Sequence, residues 1–309
     1  MCVASSWAAL TARSRAGATS SLCSPSPSSL LLRHGRRRGT SSRWRTCSSS
    51  ASASSEDSPA KDGGKVVVPV RRASRLTGSQ LANALGWWKG GREQIWEEKL
   101  GLREPFRGND ATRWGTKHEP RARDEFSKLT GYDVASASTL GLLDKEAGGL
   151  VRLHREEGKA WLGAAPDGII PDRDALLEIK CPYNRGFPAQ MRPWGRAPWY
   201  YMAQVQSLLE IFDMERCYFY CWTIEKGSCV YVVDRDREYW GYVYVALEEF
   251  WHRHLVPARE ALLTSDGEDI RGAEAYRPRE IHTLTEYTQI LSKRMVERLE
   301  VKPMPSWLE

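Results

Sequence analysis

The stretch APDGIIPDRDALLEIKCP, from Ala165 to Pro182, constrains this chain of 309 residues more than any other segment. Two short apolar runs flank PDRD, a turn-forming cluster, so the segment is predicted to fold as a β-hairpin. With 171–174 as the turn, Ile170 faces Ala175, and counting outward sets Asp167 opposite Glu178. Directly opposed residues of a strand pair have Cβ atoms about 5 Å apart.

Two carboxylates held that close repel each other unless a cation lies between them. Oxygen ligands at this spacing suit a hard divalent cation, Mg²⁺ or Mn²⁺. Lys180 follows Glu178 by two residues and so points to the same strand face. There its ammonium could hold an attacking water or shield charge developing on a phosphate. The backbone carbonyl of Ile179, between them, is a candidate oxygen ligand. The bland alternative is an exposed strand face carrying an ordinary Glu–Lys pair. Three details weigh against it: the apolar neighbours in LLEIKCP, the small-residue run GAAPDG in which Gly168 leaves room for a ligand, and a third carboxylate, Glu119, on an upstream helix.

The formal net charge of +6 suggests a nucleic-acid binder, but its distribution removes that inference. Residues 1–55 hold eight arginines, seventeen serines, no lysine and no acid, which leaves 37 basic against 39 acidic residues in the remainder. Any affinity for DNA must then come from a local patch. A Ser- and Arg-rich, acid-free amino terminus has the composition of a transit peptide for a plastid or a mitochondrion. A basic tail that stays on the protein is the alternative. No apolar run reaches membrane-spanning length. The cysteines form no CxxC pair, so buried thiols are expected, with neither a disulfide framework nor an iron–sulfur cluster.

Residues 56–70 read as a linker, 71–263 as the main domain and 264–309 as a helical extension. A Thr77/Ser79 start signal opens a short helix. Another helix is expected through REQIWEEKLGL to Gly101. A third carries the stripe Trp114, His118, Ala122, Phe126 and Leu129 and stops at Gly131. Pro120 must bend that helix or mark its start near His118. The period then changes to two, with strands expected near 138–143, 149–154, 160–163, 167–170 and 175–181. The Pro- and Gly-dense loop 182–198 interleaves Tyr183, Phe187 and Trp194 with Arg185, Arg192 and Arg196, as a holder of a strand end would. An amphipathic helix around 199–213, a hairpin from CYFYCWTI and SCVYVVD, a helix over 239–263, within which YVYV would also suit a strand, and a helix with a Thr283/Glu286 capping box complete the chain. Trp87, Trp88 and Trp96 are expected in the core or at an interface.

Four blocks in order, RLTGSQLANALG (75–86), WGTKHEPRARDEF (114–126), WLGAAPDGII…LLEIKCP (161–182) and YYMAQVQSLLEI (200–211), resemble the lambda-exonuclease-like, YqaJ-type viral recombinase family of PD-(D/E)xK nucleases. The resemblance implies an α/β fold: a restriction-endonuclease-like core with a mixed central β-sheet flanked by helices. It implies metal-dependent cleavage of DNA, with Glu119, Asp167 and Glu178 as the carboxylates of the metal site and Ile179 supplying a carbonyl. Lys180 becomes the catalytic lysine and Gln204 the active-site glutamine. Arg75 and Ser79 match a 5′-phosphate grip, and Arg192 and Arg196 are assigned to DNA. Pro120, directly after Glu119, departs from the family pattern. The function expected is a Mg²⁺-dependent DNA exonuclease, 5′ to 3′, in organellar recombination or repair. An endonuclease or RNA-acting nuclease of the same superfamily, or an inactive nucleic-acid-binding protein, is the alternative. A homo-oligomer and a single-strand-binding or annealing partner are compatible with the resemblance, and no residue demands either.

Overall fold

The hairpin forms in the register counted from the sequence: Ile170 pairs with Ala175, Ile169 with Leu176 and Gly168 with Leu177. The computed structural model describes residues 61–62, 65–66, 75–147, 149–264 and 270–304. The expected leader, 1–55, lies outside the described residues, as does most of the expected linker. Two-residue strands β1 (Lys61–Asp62) and β2 (Lys65–Val66) pair antiparallel. Then follow β3 (Leu76–Thr77), α1 (Leu81–Ala84), α2 (Gly91–Leu100) and α3 (Asp110–Thr130). Strands β4 (Arg152–Leu153), β5 (Leu162–Ala164), β6 (Gly168–Ile170) and β7 (Ala175–Lys180) come next. Helix α4 (Met202–Phe212) leads into the hairpin β8 (Arg216–Trp222) and β9 (Ser228–Asp234). Helices α5 (Arg237–Glu249), α6 (Val256–Thr264), α7 (Ile270–Glu274) and α8 (Thr285–Arg298) precede the last strand, β10 (Val301–Met304).

The central sheet runs β10-β9-β8-β7-β6 and is mixed: β7 and β8 are parallel, the other neighbours antiparallel. A smaller sheet, β3-β5-β4, stands beside it. Side chains alternate along a strand, so β7 presents Leu177 and Ile179 to one face and Leu176 and Glu178 to the other. Ala122 and Phe126 of α3 cover the first face with Tyr220, Trp222 and Val230. Helices α4 and α5 cover the second through Leu208, Leu209, Val243 and Leu247, packed with Phe219 and Tyr231. A mixed sheet with helices on both faces is the α/β architecture expected of a restriction-endonuclease-like core.

Helix α3 runs unbroken through Pro120, contrary to the expected bend or late start. Proline there deletes the amide that would pair with the Thr116 carbonyl, but both residues are exposed, so water can take that carbonyl. Asn109 caps the helix by accepting from Thr112 N at 3.0 Å, and Gly131 ends it at φ 72°.

Other expectations fail for local reasons. Residues 138–143 form turns, not a strand: Leu142 N reaches back to Ala137 O, and Gly141 sits at φ 65°. The Thr283/Glu286 box does not form; α8 begins at Thr285, and His282 Nδ1 accepts from Leu284 N instead. Thr285 is turned inward, where its Oγ1 donates to Leu85 O. The segment YVYV lies within α5. Past 263 the chain supplies helices α7 and α8, and also a strand, β10, at one edge of the central sheet. All four cysteines among the described residues are free.

Arg235, 8% exposed, fastens the end of β9 to α4 by ion pairs with Glu210 at 2.6 Å and Asp213 at 2.7 Å. His154, whose Nε2 stands 3.5 Å from Glu210, and Arg235 together hold the Glu210 carboxyl down at about 2. The 3.5 Å separation is too long for a full hydrogen bond, so the Arg235 contact carries most of that effect. A depressed carboxylate contributes stability that is complete above its unfolded pKa and is lost as pH falls through the folded one. Glu210→Gln should therefore cost about 2 kcal/mol at pH 7, with Arg235 left to its pair with Asp213. The deficit against wild type, measured by denaturant unfolding, should shrink from pH 5 towards pH 2; a deficit independent of pH would refute the ionic account.

Candidate active site

Strand β7 is buried along its length until Lys180, and this puts Glu178, 2% exposed, inside the protein with its charge. Three groups address it. Lys180 Nζ forms an ion pair with Glu178 Oε1, and Gln204 Nε2 donates to the same oxygen at 2.6 Å. The other oxygen, Oε2, is buried and has no hydrogen-bond partner. Asp167 is aimed from the adjacent strand end: its Oδ2 accepts from Ile179 N at 2.6 Å.

The electrostatics follow from this crowding. Burial, then the Asp167 charge, pushes the Glu178 carboxyl up to about 8. Burial likewise raises Asp167, against the pull of Lys180. Burial opposes the Lys180 charge, yet Glu178 and Asp167 hold its ammonium above the usual lysine range. Burial and Asp167 raise Glu119, partly offset by Arg123, which donates to Glu119 Oε1 at 2.6 Å. Two acids that resist ionising together, with one carboxylate oxygen unpartnered, make a donor set that a divalent cation would satisfy. Asp167, Glu178 and the Ile179 carbonyl fit that role. Among the described residues no three His, Cys, Asp or Glu side chains gather as a self-sufficient metal cluster. Glu119 stands in the same pocket wall, where its carboxyl accepts from Arg123 and its charge bears on Asp167.

A pocket of about 560 Å³ opens onto this cluster, and Glu119, Asp167, Ile179, Lys180, Gln204 and Ser79 all line it. Gly78 lets the turn before α1 approach closely; a Cβ there would stand 3.0 Å from Gln204 Cγ. A larger hollow, about 840 Å³, is lined by none of these residues.

Other expected site residues lie elsewhere. Arg75 is buried at 6% exposure, donates to Ala147 O and does not line the pocket. Its place at the start of β3 turns the side chain into the core. Arg192 and Arg196 are exposed and outside the pocket wall; Arg196 lies 3.7 Å from Glu297. Gly168 makes room for protein, not for a ligand: a Cβ would meet Val134 Cγ1 at 2.5 Å.

Several neighbours of the site escaped sequence reasoning. The Tyr201 ring sits 5.0 Å from Lys180 Nζ, a cation–π contact. It precedes Gln204 by three residues, one helical turn, and that spacing was the available signal. Trp88, grouped with Trp87 and Trp96 as core or interface, is 44% exposed and lines the pocket, while the other two are buried. Cys181 follows Lys180, but burial pushes its thiol up to about 12, too high for a nucleophile at neutral pH.

A raised carboxyl costs stability as pH climbs through its folded pKa. Without a cation, Glu178→Gln should thus melt no lower than wild type at pH 9 in EDTA, and the difference should narrow at pH 6. A markedly lower melting temperature at pH 9 would show that the lost Lys180 pair outweighs burial and the Asp167 charge.

No curated protein matches the chain. Among solved structures it is similar to an alkaline exonuclease from Laribacter hongkongensis, at 21% identity and a TM-score of 0.46 over 66% of this chain and 95% of that one. The same protein in complex with dAMP gives 21% identity and 0.46 over 67% and 96%. A phage related exonuclease from Haemophilus somnus 129PT gives 13% identity and 0.39 over 71% and 96%. Residues 69–215, which contain Glu119, Asp167, Glu178, Lys180 and Gln204, match the YqaJ-like viral recombinase domain.

Proposed function

We propose that the protein is a DNA exonuclease that hydrolyses phosphodiester bonds with the help of a divalent cation, Mg²⁺ or Mn²⁺. It would run 5′ to 3′ and serve recombination or repair of organellar DNA. The observation that carries this reading is the buried Glu178, met on one oxygen by Lys180 and Gln204 and left unpartnered on the other. The YqaJ-like domain over 69–215 supports the same reading.

A cation held by Asp167, Glu178 and the Ile179 carbonyl would supply an acidified water and neutralise charge on the scissile phosphate. The protein's own groups do the rest. The Asp167 carboxylate is fixed by Ile179 N, so it needs no reorganisation as substrate arrives. Gln204 holds the Glu178 carboxylate in plane and leaves Lys180 able to swing its proton-bearing end to a phosphate oxygen. Ser79, exposed on the pocket wall, is placed to donate to a terminal phosphate. The buried Arg75 would back that turn from behind and not touch the DNA. Arg192, exposed on the loop after β7, is the better placed of the two loop arginines to meet a backbone, since Glu297 lies beside Arg196. The composition of residues 1–55 supports import into a plastid or mitochondrion. No helix among the described residues is long and apolar enough to cross a membrane.

End-labelled linear duplex should be degraded in Mg²⁺ while covalently closed circles survive, and EDTA should stop the reaction. Cutting of circles would convert the reading to an endonuclease. Lys180→Ala should lower turnover about 10²- to 10³-fold with DNA binding retained, as loss of one preorganised donor does. Wild-type turnover by that variant would remove the lysine from the mechanism. A 5′-phosphorylated end should be preferred to a 5′-hydroxyl end. Residues 1–60 fused to a fluorescent reporter should carry it into an organelle, and a cytosolic signal would refute import.

A further inference from the structure

The pocket has two unlike walls. One carries Glu119, Asp167 and Lys180; the other is aromatic, with Trp88, Tyr200 and Tyr201. Trp88 is the exception among them, since nearly half of a large apolar ring is left in water, which opposes the usual gain from burial. Its exposure is not looseness. The Trp88 carbonyl accepts from Gly91 N at 2.9 Å, and Gly90 closes the turn at φ 69°. The indole rests edge-on against Tyr200, with centroids 5.5 Å apart, and tilted against Trp199 at 5.9 Å. Trp199 in turn contacts Trp87 at 5.1 Å, and Trp87 Nε1 donates to Thr288 Oγ1 of α8 at 3.1 Å. A rigid aromatic face is thus held at the mouth of an acidic, lysine-bearing site.

A ligand that meets both walls needs an anionic group and a flat π-surface, and a nucleotide has both. The volume of about 560 Å³ lies within the range of about 300–1,000 Å³ usual for bound small molecules. A base inside a duplex has both faces covered by stacked neighbours, so the base at a strand end is the one that can offer a face to an indole. We infer that Trp88 is the platform on which the base of a terminal nucleotide stacks while its phosphate faces Lys180. This deepens the nuclease reading and rests on it for the phosphate side.

The test uses the full chain and DNA carrying 2-aminopurine as the unpaired terminal base, in EDTA so that binding is read without cleavage. Stacking should quench the probe on wild type and on Trp88→Phe, and quenching should vanish on Trp88→Ala. Affinity for a base-bearing end should fall about tenfold in Trp88→Ala, the size expected for one lost base–aromatic stack. On wild type an abasic end should show the same loss, and combining the abasic end with Trp88→Ala should add nothing further. Equal binding of base-bearing and abasic ends by wild type overturns the proposal. So does a Trp88→Ala variant that weakens both ends alike, because that is the mark of a damaged fold. The same DNA incubated with wild type in Mg²⁺ separates the two claims: absent cleavage with intact quenching sinks the nuclease and leaves the stacking.

Discussion

Everything at the site follows from one carboxylate placed where a carboxylate does not want to be ionised. Strand β7 pairs antiparallel with β6 and parallel with β8 and is covered on both faces, so each of its side chains up to Ile179 is dry. Glu178 occupies such a position. A hydrophobic residue there would extend the Leu176–Phe219 face at no electrostatic cost. The fold instead has to supply Lys180 and Gln204 to one oxygen and leaves the other without a partner. An arrangement so expensive for the isolated protein is what function, not stability, would retain.

The supporting elements are read best as consequences of that placement. Asp167 must stand one strand away, and it is aimed by a backbone amide of β7 itself, so the two acids move as a unit with the hairpin. Gln204 arrives from α4, and Gly78 lets the turn after β3 lie against it with no Cβ in the way. Glu119 comes from the opposite face on α3, whose Ala122 and Phe126 pack beneath Ile179. Arg123, one turn further along α3, occupies Glu119 and tempers its repulsion with Asp167. The site is therefore a meeting of one hairpin and two helices that share no stretch of sequence.

Period-two alternation and a PDRD turn made the hairpin register legible, because a one-residue slip would have turned Glu178 to the other face and Ile179 into its place. The pairing of Ile170 with Ala175 was thus deducible from local sequence. Residues whose roles depend on which distant segment lies above them were not. Arg75 carries the right charge and the right neighbours in sequence, yet β3 turns it towards Ala147. Gly168 looks like a ligand-clearing glycine, but Val134 fills the space. Trp88 and Trp87 are adjacent and chemically identical, and only the tertiary placement of Thr288 and Trp199 decides which one is buried. The failed strand at 138–143 and the absent cap at Thr283 are different errors: Gly141 and His282 offered local hydrogen-bonding geometry that outcompeted the expected pattern.

The two walls of the pocket also differ in what anchors them, and this bears on how such a site could change. The acidic wall is built into the central sheet, where shifting Asp167 or Glu178 means breaking β6–β7 pairing. The aromatic wall hangs from the turn before α2 and from the residues leading into α4, buttressed by α8 through Trp87 and by Lys293 over the Trp199 ring. Its contacts are ring against ring, which tolerate exchange of one aromatic for another far better than a carboxylate pair tolerates a shift. On the proposed nuclease reading, the paired acids would be held by the sheet, and contact with a strand end would fall to a surface that can vary without disturbing them.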